Sequence, residues 1–368
     1  MISTTPHTAN SVARNANMRA IRGVARTSEG RAAGERSSST YSTYTFNRHS
    51  HPSPDPITAT SVDYIDIGGR IKWDHSTPLP ELADALARAY RTRRVVDLII
   101  GGYEVALHRP RAGDHHLNDN AKDSYMEYVL TWQGVKVGLS PRQSTTRQLY
   151  NHKLIASGQP CTILGLPAIQ KFQAEIISAL GGEIIDGWFK RIDVCLDIAH
   201  KPLMTILLSS MREGRYITSS RTPIAFYPTC FEIASQGIRL RVYEKLTAMQ
   251  IHKHNDAYRA AMRRRSGGAE PQHATRVEYQ LRKEWLDALN LDTVPRVLAR
   301  LHEVVAACTA DGPRSFFRMT KKYPDAKNGN HSRAKTDPVW EWIISAMREG
   351  SSDIMSPPVR VKKRKPRP

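Results

Sequence analysis

Apolar and polar residues alternate from Ile238 to Tyr243, in a stretch that continues through Glu244 and Lys245. A β-strand turns successive side chains to opposite faces, so this stretch predicts a strand with one core face and one cationic face. The core face would carry Ile238, Leu240 and Val242, and the polar face would carry Arg239, Arg241, Tyr243 and Lys245. Positive charge beside Tyr243 suits a phenol that ionises and attacks a phosphate, because the cations stabilise the phenolate and the phosphate oxygens. The alternative is an ordinary half-buried tyrosine.

Two further stretches alternate in the same way and place acids on their polar faces. Residues 191–198 predict a strand whose polar face carries Arg191, Asp193, Cys195 and Asp197. Residues 275–282 predict a strand whose polar face carries Arg276, Glu278, Gln280 and Arg282. If the three strands share a sheet, these faces converge, and their carboxylate oxygens favour Mg²⁺ or Mn²⁺. Asp193 and Glu278 are the main candidate ligands, since Asp197 would lie about 13 Å from Asp193 along an ideal strand. The alternative is a set of amphipathic strands with ion pairs from Asp193 to Arg276 and from Glu278 to Arg241.

The 368-residue chain carries a formal net charge of +19. A surplus of that size predicts a polyanionic partner, and nucleic acid is the commonest one. An anionic membrane surface is the competing partner, but no long basic amphipathic helix is predicted outside the core. The most apolar stretches, such as residues 95–100, are too short to span a membrane. The four cysteines are far apart in the sequence, which fits a reducing cytoplasm.

Strand and helix patterns alternate along the chain and predict an α+β fold, in which helices pack on one face of antiparallel-rich sheets. Two related halves are expected, because each contains a strand, a helix and a hairpin in that order. The predicted segments are a disordered basic arm at 1–56, an N-terminal half at 57–182, a C-terminal half with the candidate site at 183–310, a helical or loop segment at 311–350 and a basic tail at 351–368.

Glycines and prolines set the predicted ends of the elements. The first strand is expected to run from Ala59 to Ile67 and to end at Gly68-Gly69, and a helix is expected to begin at Pro80. Residues 224–234 predict a single strand, which pairs with the Ile238 to Lys245 strand across a turn at residues 235–237.

Three motifs in this order resemble a known family. They are Arg-Ile-Asp at 191–193, Leu-Arg-Val-Tyr-Glu-Lys at 240–245 and Arg-Val-Glu-Tyr-Gln-Leu-Arg at 276–282. Together they are similar to the rolling-circle replication initiators of filamentous phages and to the plasmid "replication initiation factor" family, over roughly residues 60–310. The resemblance implies an enzyme that nicks and rejoins one DNA strand at a replication origin, with Tyr243 as the nucleophile that forms a 5′-phosphotyrosine.

The resemblance also implies roles for neighbouring residues and a set of partners. Lys245 would match the family lysine beside the nucleophile, and Asp193 and Glu278 would match the acidic positions that hold the metal. Origin DNA, supercoiled or single-stranded, would be the substrate, and a helicase and other host replication proteins would be partners by analogy. A homodimer is left open. The candidate phosphate contacts are Arg191, Arg239, Arg241, Arg276 and Arg282.

Several alternatives stay open at this point. Tyr227, in Ala225-Phe226-Tyr227-Pro228, is a rival nucleophile, although it lacks a lysine on its own face. His115-His116 and His252-Lys253-His254 are close histidine pairs, but neither forms the His-apolar-His strand that many rolling-circle enzymes place before the tyrosine. At the level of function, the alternatives are a non-catalytic DNA-binding replication regulator and a mobilisation relaxase.

Overall fold

The computed structural model describes residues 57–74, 80–108, 126–144, 146–147, 149–251, 256–311, 315–322 and 334–355. The predicted basic arm, the histidine pairs at 115–116 and 252–254, and most of the predicted basic tail lie outside these residues. Within them, none of the helices combines the length and the apolar character needed to cross a membrane.

Eleven of the described strands form one antiparallel sheet, and two more form a separate pair. In chain order the strands are β1 (Ile57–Trp73), β2 (Val96–Ile100), β3 (Tyr103–His108), β4 (Tyr128–Trp132), β5 (Val135–Leu139), β6 (His152–Ala156), β7 (Gly182–Ala199), β8 (Tyr216–Thr218), β9 (Ala225–Tyr227), β10 (Cys230–Ser235), β11 (Ile238–Glu244), β12 (Ala274–Arg282) and β13 (Phe317–Met319). The order across the large sheet is β2-β3-β4-β5-β6-β1-β7-β12-β11-β10-β9, and β8 pairs with β13.

The two halves of the sheet share one arrangement. A long central strand, β1 or β7, is followed by a helix and then by a meander, whose last strand, β6 or β12, returns to lie beside it. The central strands β1 and β7 pair with each other along most of their length, so both halves belong to one continuous sheet. The predicted α+β class with an antiparallel-rich sheet is confirmed, whereas the predicted domain boundaries stay predictions.

Most of the described helices pack on the apolar face of this sheet, and three lie beside its polar face. The described helices are α1 (Pro80–Thr92), α2 (Gly158–Leu164), α3 (Leu166–Ala179), α4 (Leu203–Arg212), α5 (Lys245–Ile251), α6 (Asp256–Arg265), α7 (Lys283–Ala288), α8 (Val294–Ala299), α9 (Leu301–Cys308) and α10 (Pro338–Glu349). Helices α1, α3, α4, α9 and α10 share one core with the inward residues of β7, β11 and β12. A small second cluster joins α2, α5 and α6 beside the polar face, through Met249, Tyr258 and Met262.

The first strand is longer than predicted, because Gly68 and Gly69 continue it instead of ending it. A Cβ atom at position 69 would lie 2.8 Å from Nδ1 of His152 and 2.9 Å from the carbonyl oxygen of Asp186. Only glycine permits neighbouring groups to approach this closely, so the glycine pair marks close packing inside the sheet and not a turn.

The prediction of one strand over residues 224–234 is wrong, because the chain reverses within it. Strand β9 ends at Tyr227, Pro228 and Thr229 form a turn, and β10 runs back beside β9 from Cys230. Proline fixes its own φ and lacks an amide donor, which suits the turn and not the middle of a strand. Tyr227 consequently lies on the last strand of the sheet, one strand further from β11 than predicted.

Candidate active site

The three predicted strands are direct neighbours in the sheet, in the order β7-β12-β11. Residues opposite each other on antiparallel strands share a face, so the register defines rows of polar side chains. In one row Tyr243 lies opposite Arg276, which lies opposite Asp197. In the next row Arg241 lies opposite Glu278. The structure therefore brings the polar faces together, while Ile238, Leu240 and Val242 are buried on the core face as predicted.

The hydroxyl of Tyr243 donates a hydrogen bond to Oε2 of Glu278 at 3.0 Å. The guanidinium of Arg241 donates to the other oxygen of the same carboxylate. Glu278 is fully buried, so this carboxylate holds the phenol and the cation in a water-poor position. Burial raises the pKa of Tyr243 well above its usual value; Arg276 opposes the shift, and the Glu278 charge adds to it. The phenol is thus protonated at neutral pH and acts as the donor.

A buried ion-pair cluster lies behind the tyrosine and is centred on Arg276, which is fully buried. Its Nε and Nη2 donate to the two oxygens of Asp197 at 2.6 and 2.7 Å, and its Nη1 lies 2.5 Å from Oδ1 of Asp63. Arg265 adds a second cation, 3.3 Å from Oδ2 of Asp197. The alternative prediction of an Asp193–Arg276 pair is wrong, because the register places Arg276 opposite Asp197.

The electrostatics of this cluster are strongly coupled. Burial alone would raise the pKa of Asp197 and of Asp63, but Arg276 brings both below their usual values. Burial alone would lower the pKa of Arg276, and Asp197 and Asp63 instead raise it well above its usual value. Arg276 is therefore a permanent cation that holds two carboxylates and lies beside the phenol. A fully buried guanidinium with two carboxylate partners does not reach a DNA phosphate, which argues against its predicted DNA contact.

Asp63 belongs to this cluster but is absent from the sequence-based candidates. In β1, Val62 is opposite Val194 and Tyr64 is opposite Asp193, so the register shifts by one residue at Asp63. Such a bulge turns an extra side chain toward a chosen face. The signal in the sequence is the interrupted alternation around Asp63, which a strict period of two cannot accommodate.

Asp193 lies further along β7 and is almost fully buried. Nε of Arg191 donates to Oδ1 of Asp193 at 2.7 Å, and Nη2 of Arg191 donates to the second oxygen. Arg191 also lies over the ring of Tyr64, 4.2 Å from its centre. Burial raises the pKa of Asp193 to about 7, because Arg191 offsets the desolvation only in part and the charge of Glu278 adds to it.

The substitution Asp193→Asn should make the slope of stability against pH more positive between about pH 4 and pH 7, because it removes a contribution that declines in this window. The pKa of Asp193 is about 7 in the folded protein, and an aspartate in an unfolded chain has a pKa of about 3.9. The folded state therefore binds an extra proton at Asp193 in this window, and the contribution of this one group to the free energy of unfolding falls as pH rises, by at most about 1.4 kcal/mol per pH unit. Urea unfolding of both proteins at several pH values measures the difference. Identical slopes would contradict the shift.

Lys245 is buried at the start of α5, and its Nζ lies 5.6 Å from the ring centres of Tyr243 and Tyr258. A cavity of about 450 Å³ lies at this point. Its lining includes Asp63, Arg241, Tyr243, Glu244, Lys245 and Tyr258. The cavity thus presents a phenol and two cations on one side, which is an arrangement able to receive a phosphate group.

The remaining predicted residues lie around this centre. Arg239 is half-buried and lies 3.7 Å from Oε2 of Glu232, and Arg282 is exposed at the end of β12. Both line a separate depression at the turn of residues 235–237. Tyr227 is half exposed on β9, and the register places it opposite Cys230, which is itself opposite Tyr243. Two strand spacings, about 10 Å, therefore separate the two tyrosines on one face.

The acids predicted to hold Mg²⁺ or Mn²⁺ do not fit a divalent ion in this arrangement. Within the described ranges, no group of three or more histidine, cysteine, aspartate or glutamate side chains is placed to hold a metal. Asp193, Asp197 and Glu278 instead each accept hydrogen bonds from a guanidinium. The carboxylate oxygens that a hard cation would require as ligands are therefore already bonded to arginine.

No family model and no curated protein matches this chain. Among solved structures, the chain is similar to a rolling circle replication initiator protein from Geobacillus stearothermophilus, at 14% sequence identity and a TM-score of 0.42. The similarity covers 79% of this chain and 97% of that chain. An overlap of this degree assigns no function to this chain.

Proposed function

We propose that this protein initiates the rolling-circle replication of a phage-type or plasmid-type element by nicking and rejoining one DNA strand through Tyr243. The observation that carries the proposal is the bond from the Tyr243 phenol to the buried Glu278 carboxylate, which Arg241 also contacts, beside a cavity. A tyrosine nucleophile needs a proton acceptor and a cation for the phosphate. The net charge of +19 supplies long-range attraction for DNA.

In the proposed reaction, Tyr243 passes its phenolic proton to Glu278 while its oxygen attacks phosphorus. The new bond between phosphorus and the tyrosine oxygen forms as the bond between phosphorus and the 3′ oxygen breaks. The departing 3′ oxygen takes up a proton, for which Lys245 is the candidate donor. The products are a 5′-phosphotyrosine and a free 3′ hydroxyl. Because one phosphodiester is exchanged for another, the reverse step rejoins the strand without ATP.

The raised pKa of Tyr243 is compatible with this role. A free phenolate does not need to accumulate when a carboxylate already accepts the phenolic proton, because proton transfer and attack occur together. Arg276, on the neighbouring strand, lowers the pKa of the phenol against the effect of burial and so favours the developing negative charge. The buried cluster around Arg276 would therefore act on the nucleophile without touching DNA.

The proposal includes the setting of the reaction. The substrate would be supercoiled or single-stranded origin DNA in a bacterial cytoplasm, with a helicase and other host replication proteins as partners. A homodimer and a role as a mobilisation relaxase are compatible with the same chemistry. The second candidate function is a non-catalytic DNA-binding regulator, which is favoured by the guanidinium partners already present on Asp193, Asp197 and Glu278.

The decisive experiment is to incubate the protein with supercoiled DNA that carries its own replicon and to look for a covalent adduct after denaturation. We expect a fraction of the protein to carry nucleotides, and mass spectrometry of its peptides should locate them on Tyr243. Nucleotides on Tyr227 would transfer the role to the rival tyrosine. Specific binding without any adduct would favour the non-catalytic regulator.

A further inference from the structure

Arg241 occupies the space between the two acids that were the main candidates for a divalent ion. Its guanidinium donates to Oε1 of Glu278, and its Nη2 lies 3.9 Å from Oδ2 of Asp193. The two carboxylates come from neighbouring strands, β12 and β7, and the arginine comes from β11. A single cationic side chain thus spans the position where a bridging ion would bind.

The charges around this position are already balanced by arginine. Asp193 has Arg191 as a second partner, whereas Glu278 has Arg241 and the Tyr243 hydroxyl. An ion at this point would have to displace a guanidinium from a fully buried carboxylate. Breaking a buried ion pair is costly, because it leaves one charge without a partner in a water-poor site.

Arg241 also differs from Arg276, the arginine opposite Tyr243, in what its side chain can reach. Its side chain is 29% exposed, compared with 0% for Arg276. It lines the same cavity as Tyr243, two residues away on the same face of β11, and thus about 7 Å along the strand. Its Nε is buried and makes no hydrogen bond within the described part of the chain. The exposed part of the side chain therefore lies at the cavity that a phosphate group would enter.

We infer that Arg241 is a catalytic residue, which contacts the non-bridging oxygens of the attacked phosphate in the position expected for Mg²⁺ or Mn²⁺, so that strand cleavage needs no divalent ion. This inference rests on the proposed function. A guanidinium carries a permanent charge and presents donors in a planar fork that matches phosphate oxygens. It can therefore stabilise charge at the phosphate as an ion would, while remaining tethered to the strand that carries the nucleophile.

The first test uses the wild-type protein and needs no substitution. The protein is stripped with EDTA, and adduct formation on replicon DNA is compared in EDTA, in Mg²⁺ and in Mn²⁺. We expect rates within about twofold of each other, and we expect electron paramagnetic resonance to show no stoichiometric binding of Mn²⁺ to the free protein. Adduct formation that requires either ion, together with one tightly bound Mn²⁺ per chain, would overturn the inference and leave the proposed nicking intact.

The second test replaces the arginine itself. In Arg241→Ala, adduct formation should fall about 100-fold or more at saturating DNA, as it does when one donor to a transition-state oxygen is removed elsewhere. Arg241→Lys should recover part of the rate, because it keeps the charge and loses the fork. The matched control is Arg296→Ala, which breaks the 2.7 Å ion pair with Asp292 on the surface of α8. Circular dichroism establishes that each variant is folded.

The outcomes distinguish the role of Arg241 from the proposed nicking by Tyr243. A folded Arg241→Ala protein with an unchanged adduct rate would overturn the role of Arg241 and leave Tyr243 as the nucleophile. If the wild-type protein forms no adduct with or without metal, the proposed function fails, and this inference fails with it. Loss of activity in Arg241→Ala that Mg²⁺ restores would also count against the inference, because the ion would then have a site of its own.

Discussion

Replacing Tyr243 with phenylalanine is expected to abolish the covalent protein–DNA adduct while DNA binding persists. The substitution removes only the hydroxyl that donates to Glu278 at 3.0 Å, and it leaves the ring in the polar row of β11. Removing a nucleophile lowers the rate of the chemical step by several powers of ten. The amount of adduct should therefore fall to background, by about 10⁴-fold or more. Denaturing gels of the protein–DNA mixture measure the adduct, and fluorescence anisotropy with a labelled strand measures binding.

Tyr227→Phe is the matched control for this prediction. Tyr227 lies on the same face, but it is half exposed on the edge strand and has none of the cavity contacts of Tyr243. The control should retain the adduct. If Tyr227→Phe loses the adduct and Tyr243→Phe keeps it, the nucleophile is Tyr227, and the Tyr243–Glu278 hydrogen bond is a structural contact.

The alternation of apolar and polar residues was sufficient to predict which side chains share a face. Ile238, Leu240 and Val242 are buried, and the polar residues of β7, β11 and β12 lie together on the other face. A period of two is a local property of the chain, so a single strand reveals it. Register is not local, because it depends on turns and bulges elsewhere in the sheet. For this reason the predicted Asp193–Arg276 pair was wrong, although both residues were on the predicted face.

The residues that the sequence did not reveal depend on contacts between distant segments. Asp63 enters the cluster through a bulge in β1, and Arg265 enters it from the end of α6. Neither position forms a motif with residues of β12 along the chain. The guanidinium partners of the acids were equally hidden, since charge alone does not distinguish a carboxylate that holds a metal from one that holds an arginine. The Glu278–Arg241 pair was the exception, because both partners were already placed on predicted strands.

Arg276→Met is expected to destabilise the fold by about 3–5 kcal/mol, which is a large part of the stability of an ordinary domain. The substitution keeps the bulk of the side chain but leaves Asp197 and Asp63 buried without their main counter-charge. Arg276 lowers the pKa of both acids, so the loss should be greatest at neutral pH. It should shrink on acidification, because protonation removes the unpaired charges. Urea unfolding of the variant and the wild type, followed across pH, measures the difference.

A combined variant distinguishes lost pairing from lost packing. Adding Asp197→Asn and Asp63→Asn to Arg276→Met removes the two unpaired carboxylate charges. The combined variant should recover a substantial part of the lost stability, because a neutral amide costs far less to bury than an unpaired carboxylate. The matched control is Arg300→Met. The guanidinium of Arg300 also donates two hydrogen bonds to one carboxylate, that of Glu303, but this pair is exposed. It should leave the unfolding midpoint nearly unchanged. If the combined variant is no more stable than Arg276→Met alone, Arg276 contributes to stability through packing and not through its charge.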